Sequence, residues 1–169
     1  MTPSHPVASR ISVRQCQTAH DYAEMSELLR LYSEWLAVHA GLSDAERAPL
    51  ERERLDVRTA YAPPHGPCLI ARLNEQAAGC VALRQTAQPR IAEIKRFFVT
   101  SAARGSGIGS ALLARTLRVA RARGYGAVRL DSMPVMSAAL RLYARFGFEE
   151  IGPYDGEHPG GALYFERRL

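Results

Sequence analysis

The stretch that decides the fold is Glu93-Ile94-Lys95-Arg96-Phe97-Phe98-Val99, resumed after four residues by Arg104-Gly105-Ser106-Gly107-Ile108-Gly109. The first part closes a run from Ile91 to Val99 that is dense in branched and aromatic residues, which predicts a strand. The second is a glycine-rich loop, and behind it Leu112, Leu113, Leu117, Val119 and Ala120 line one side of a helix with Arg115, Arg118 and Arg121 on the other. Gly124 stops that helix, and Ala127 to Asp131 reads as the next strand. Strand, loop, helix and strand together make a crossover between parallel neighbours.

Outward from this unit the signals are local and clear. Residues 9–16 alternate like a strand, and Thr18 with Asp21 caps a helix whose apolar face is Met25, Leu28, Leu29, Tyr32 and Leu36, ended by Gly41. A second helix starts at Ser43, with Glu46 as capping partner, and runs to about Val57. Pro63-Pro64-His65-Gly66 breaks the chain before strands at 67–73 and 77–85, joined by Asn74-Glu75-Gln76. On the C-terminal side come a helix over about 135–146, Gly147, and strands near 148–153 and 162–168 around a loop from Tyr154 to Gly160. The order β-α-α-β-β-β-α-β-α-β-β is that of an α/β chain, a mixed sheet with helices on its faces. Residues 9–169 form one domain, behind a lead of residues 1–8 expected to be disordered.

Composition narrows the function. With 169 residues, 47% apolar and 23% charged, the chain is neither disordered, collagen-like nor a disulfide scaffold. No apolar run reaches a membrane span and the N-terminus lacks a signal peptide's apolar stretch, so a cytoplasmic protein without a membrane partner is expected. Cys16, Cys68 and Cys80 form no Cys-x-x-Cys pair, which predicts reduced, buried thiols. His5, His20, His39, His65 and His158 have no metal-ligand spacing, and no metal is expected. Net charge is +5, and residues 104–145 alone hold eight arginines against Asp131. Lys95 is the only lysine, which excludes the lysine-dependent phosphate loop of most nucleotide triphosphatases.

The glycine loop admits three readings. Bare amides at a helix N-terminus make a pyrophosphate cradle. A dinucleotide site would use Asp131 for a ribose, yet the third glycine of Gly-x-Gly-x-x-Gly falls on Ser110 and only 38 residues follow Asp131. A turn without a ligand is the plainest alternative. The arginine helix suggests nucleic acid, but it lacks stacking aromatics and a helix-turn-helix partner, so nucleic acid is disfavoured.

The flanks add a resemblance. Glu93 to Val99, then Arg104-x-x-Gly107-x-Gly109, then Ala139-x-x-Leu142-Tyr143-x-x-x-Gly147-Phe148 resembles the GNAT superfamily of acetyl-CoA-dependent N-acetyltransferases, over nearly the whole chain. The resemblance implies that acetyl-CoA is the co-substrate, with amides of Gly105, Ser106, Gly107, Ile108, Gly109 and Ser110 around its pyrophosphate and Arg104 also in the cofactor site. The edge of Phe97, Phe98 and Val99 would pair with the pantetheine arm, and an amide near Phe98 or Val99 would receive the oxyanion. It implies Glu93 as general base and Tyr143 as general acid for direct attack by an amine, either a small molecule or a peptide amino group. Against this, Glu93 shares a strand face with Lys95, and a structural ion pair would weaken it as a base. Tyr143 also lies on an apolar helix face, where a core tyrosine is the alternative. Tyr32, Tyr154 and His158, with Trp35, would border the acceptor. The family often has asparagine where this chain has Met136. A non-catalytic acyl-CoA-binding module is the alternative function, and a homodimer is open.

Overall fold

A computed structural model describes residues 10–154 and 161–169; the expected lead 1–8 and His158 lie outside the described residues. The elements are β1 (Ile11–Gln15), α1 (Ala19–His39), α2 (Asp44–Leu55), α3 (Val57–Tyr61), β2 (Cys68–Leu73), β3 (Gln76–Gln85), β4 (Ile91–Val99), α4 (Ile108–Ala122), β5 (Ala127–Ser132), α5 (Ser137–Arg145), β6 (Glu149–Ile151) and β7 (Leu163–Arg168). One mixed sheet runs in the order β1-β2-β3-β4-β5-β7-β6, with β4 and β5 parallel and every other pair antiparallel.

Thr18 and Ser43 both form reciprocal capping boxes, with Asp21 and Glu46, as expected from their spacing. The second predicted helix divides at Asp56, whose carboxylate accepts from the Thr59 amide and starts the short α3. The turn between β2 and β3 tightens to Asn74 and Glu75, both at positive φ, the twist that suits a two-residue hairpin.

The two faces of the sheet differ. One is apolar throughout: Leu69, Ala71, Val81, Leu83, Ala92, Ile94, Val128 and Leu130 pack on Leu112, Leu113, Leu117 and Ala120 of α4. The other is apolar over β2, β3 and the end of β4, where Cys68, Ile70, Cys80, Ala82 and Phe98 meet Met25, Leu28, Leu29 and Leu36 of α1. Over the rest of β4 and over β5 and β7 that face is charged, with in-register cross-strand pairs Arg84–Glu93 and Arg129–Glu166. All three thiols are free and buried.

A buried ion cluster fixes α1 to the sheet. Arg72, 5% exposed, bonds Asp21 Oδ1 at 3.1 Å and pairs with Glu24. Burial opposes the charged form of Asp21, but the Thr18 and Gln17 amides, the Thr18 hydroxyl and Arg72 outweigh it and hold the carboxyl well below the usual range. A depressed carboxyl stabilises the fold above its unfolded pKa, and that contribution fades as acid titrates it. Arg72→Met is expected to lower stability by about 1.5–3 kcal/mol at pH 7, the range for losing hydrogen bonds to charged groups, because Asp21 keeps Arg14 at 2.7 Å. Urea unfolding checks this, and the gap to wild type should shrink only in strong acid, below the ordinary carboxylate range, as Asp21 of the folded protein takes up its proton.

Candidate active site

The site begins with an irregularity in β4. Pairing with β3 runs Arg84↔Glu93, Leu83↔Ile94 and Ala82↔Lys95, then slips so that Cys80 faces Phe98. The extra residue is accommodated at Arg96, whose φ of 58° is rare for a side chain of this size. The Cys80 thiol donates to the Arg96 carbonyl at 3.5 Å. The slip sends Phe97 to the α4 and α5 side and Phe98 under α1, where it stacks on Tyr32 at 5.3 Å between ring centroids. On its other edge β4 pairs with β5 only from Ile91↔Ala127 to Glu93↔Arg129. Beyond that the two strands part.

The parting opens a cleft of about 530 Å³. Its walls include Phe97, Phe98, Val99, Arg104, Gly105, Gly107, Gly109 and Ser110, which are eight of the ten residues expected to hold the co-substrate. Of the other two, Ile108 is wholly buried, and Ser106 turns its hydroxyl to the Ala103 carbonyl at 2.6 Å. Gly105 and Gly107 adopt φ of 81° and 92°, so the loop needs glycine for its path. A Cβ on Gly105 would meet nothing within 4 Å, and the cradle is therefore open above the loop. Sequence reasoning missed Arg141 and Arg145 of α5 as cleft walls; they are the last members of the arginine cluster, which is the signal that marks them. Met136, where the family often has asparagine, also lines the cleft. Trp35 closes one side beneath Arg104, whose guanidinium lies 5.6 Å from the indole centroid.

A chamber of about 50 Å³ adjoins the cleft and shares Tyr32, Phe97 and Met136 with it. Tyr143 enters the chamber, its ring held by Phe97, Phe148 and Phe165 with centroids 5.7 to 6.4 Å away. Burial, with Tyr32 and Asp131 beside it, pushes the Tyr143 hydroxyl far up, so that it keeps its proton at neutral pH. Burial likewise pushes Tyr32 up to about 12.

Glu93 lies below the chamber and is 2% exposed. Its Oε2 accepts from Arg84 at 2.5 Å, and its Oε1 faces Lys95 Nζ at 3.2 Å and accepts from the Tyr154 hydroxyl at 3.0 Å. The Glu93–Lys95 pair foreseen from their shared face is therefore present. Lys95 also reaches across the parted strands to Asp131 Oδ1 at 2.8 Å, and both residues line the chamber. Asp131 and Arg84 are the partners that the sequence did not bring to this site. Arg96 turns away to α2, its Nε 2.7 Å from Glu53 Oε2, which also accepts from the Tyr61 hydroxyl. Among the described residues no group of three potential ligands is placed to hold a metal, and no helix is long and apolar enough to cross a membrane.

An open amide cradle, a cleft along an unpaired strand edge and a protonated tyrosine at its end can bind an extended phosphate-bearing thioester and protonate its leaving group. Comparisons with known proteins show the fold and the family. A Schizosaccharomyces pombe protein described as an uncharacterized N-acetyltransferase is 29% identical over 147 residues, 86% of this chain and 87% of its own. Human N-acetylaspartate synthetase is 34% identical over 143 residues, 83% of this chain, which spans only 46% of that relative's length. The crystal structure of a PaiA N-acetyltransferase from Thermoplasma acidophilum in complex with coenzyme A superposes with a TM-score of 0.71 at 21% identity, over 95% of this chain and 99% of that one. The sequence model of the acetyltransferase (GNAT) family matches residues 27–148, and the chain belongs to that family.

Proposed function

We propose that this protein moves the acetyl group of acetyl-CoA to the nitrogen of an amine acceptor, without an acyl-enzyme. The observation that carries the reading is the continuous path from the glycine cradle, along the unpaired edge of Phe97 to Val99, to the chamber that holds Tyr143. In this reading the amides of Gly105 to Ser110 take the pyrophosphate, with Arg104 beside them, and the pantetheine arm lies along β4. Tyr143 gives a proton to the departing thiolate, and Glu93 removes the amine's proton through water. The names of the relatives support an amine acceptor, and that of the human one an amino-acid amine. Tyr32 and Tyr154 flank the acceptor, with Tyr154 tied to Glu93 by its hydroxyl.

A second reading of Glu93 has one observation in its favour. Its carboxylate already receives Arg84, Lys95 and Tyr154, as a positioning residue's would. In that role it holds Lys95 against Asp131 and does not itself take the proton.

CoA and acetyl-CoA are expected to raise the thermal midpoint, and NAD to leave it unchanged. Gly107→Val should abolish the CoA shift, because a β-branched residue is forced out of the left-handed conformation that shapes the cradle. A normal CoA shift in that variant, or stabilisation by NAD alone, would overturn the cofactor assignment. Acetyl-CoA consumption across an amine panel tests the reaction itself.

A further inference from the structure

Lys95 is the single lysine of the chain, and its ammonium stands inside the chamber to which the proposed reaction brings a thioester. The side chain is 14% exposed, with Nζ 2.8 Å from Asp131 Oδ1 and 3.2 Å from Glu93 Oε1. The two carboxylates hold Nζ as an ammonium, and either one is placed to accept its proton when an acyl group is presented. Tyr143 lines the same chamber, and the chamber opens to the cleft past Tyr32, Phe97 and Met136. An acetyl group brought along the cleft into this chamber would therefore meet an amine of the protein itself.

We infer that Lys95 is a self-acetylation site: in the absence of an acceptor its Nζ takes the acetyl group of bound acetyl-CoA. The inference rests on the acetyl-CoA reading above. Nζ forms a C–N bond to the acetyl carbonyl carbon and the C–S bond to CoA breaks. One ammonium proton passes to Asp131 or Glu93 before attack. The second restores the proton that Tyr143 gives to the thiolate, so the products are acetylated Lys95, free CoA and one proton. Two ion pairs must break, which makes this a slow single event and not a turnover. Acetylation leaves Arg84 as the cation on Glu93 and removes the link across the parted strands.

The sole lysine makes the test direct. Wild-type protein is incubated with acetyl-CoA and no amine, then mapped by peptide mass spectrometry, which separates Lys95 from the N-terminal amine. One acetyl group on Lys95 is expected, absent with CoA alone and absent at that position in Lys95→Arg. Proximity should make the reaction at least about 10²-fold faster than in urea-unfolded protein or in Gly107→Val. Equal labelling in those controls would mean ordinary chemical acetylation and overturn the inference. Unmodified Lys95 in a preparation that acetylates an amine from the panel would overturn it and leave the proposed function standing. Failure to bind or consume acetyl-CoA at all would sink both.

Discussion

Tyr143→Phe is expected to slow acetyl transfer about 10²-fold while leaving acetyl-CoA binding nearly unchanged. The substitution keeps the ring, and with it the contacts to Phe97, Phe148 and Phe165, so the packing that holds α5 on the sheet survives. Loss of one hydroxyl costs about 0.5–1.5 kcal/mol of stability at most. What the variant lacks is the phenolic proton, which burial keeps on the hydroxyl at neutral pH. An acyl donor whose thiol has a lower pKa needs that proton less and should recover part of the rate. Single-turnover measurement checks this, since slow product release would hide a chemical defect. An unchanged single-turnover rate would return Tyr143 to the aromatic core and nothing more.

Glu93→Gln is expected to lower acetyl transfer by 10²-fold or more near neutral pH, within the general-base range of about 10² to 10⁴. The pH profile then separates the two roles. If Glu93 takes the amine's proton, activity climbs back at alkaline pH, where the amine is already neutral. If Glu93 positions Lys95 and Asp131, the loss is the same at all pH values, and stability falls because Arg84 and Lys95 lose their common carboxylate. Wild-type rates in Glu93→Gln would remove the residue from the mechanism under either role.

The parts of this molecule that were legible in its sequence are those decided within a few residues. Thr18 with Asp21 and Ser43 with Glu46 are local hydrogen-bonding units, and the structure has both as read. The glycine loop is of the same kind, since positive φ at positions 105 and 107 follows from the residue type. Period-two alternation put Lys95 beside Glu93, and that contact is present. Asp131 and Arg84 were not brought to the site, because their meeting with Lys95 and Glu93 depends on which strands become neighbours and in what register. The slip at Arg96 was equally hidden. No local preference asks an arginine to take a left-handed backbone, and only the fit of Cys80, Phe97 and Phe98 on opposite faces imposes it.

The two sides of β4 at that slip are supported differently. The side that cradles the glycine loop rests on a broad apolar layer between the sheet and α4, so many side chains share its support. On the opposite side, α2 and α3 are joined to β4 through Arg96, Glu53 and Tyr61. The backbone at Arg96 is under a strain of roughly 1–2 kcal/mol that glycine would relieve, but glycine would also cut this tether. Substitutions in α2 and α3 that break the Arg96, Glu53 and Tyr61 contacts therefore act on β4 at its slip and leave the apolar layer beneath the glycine loop in place.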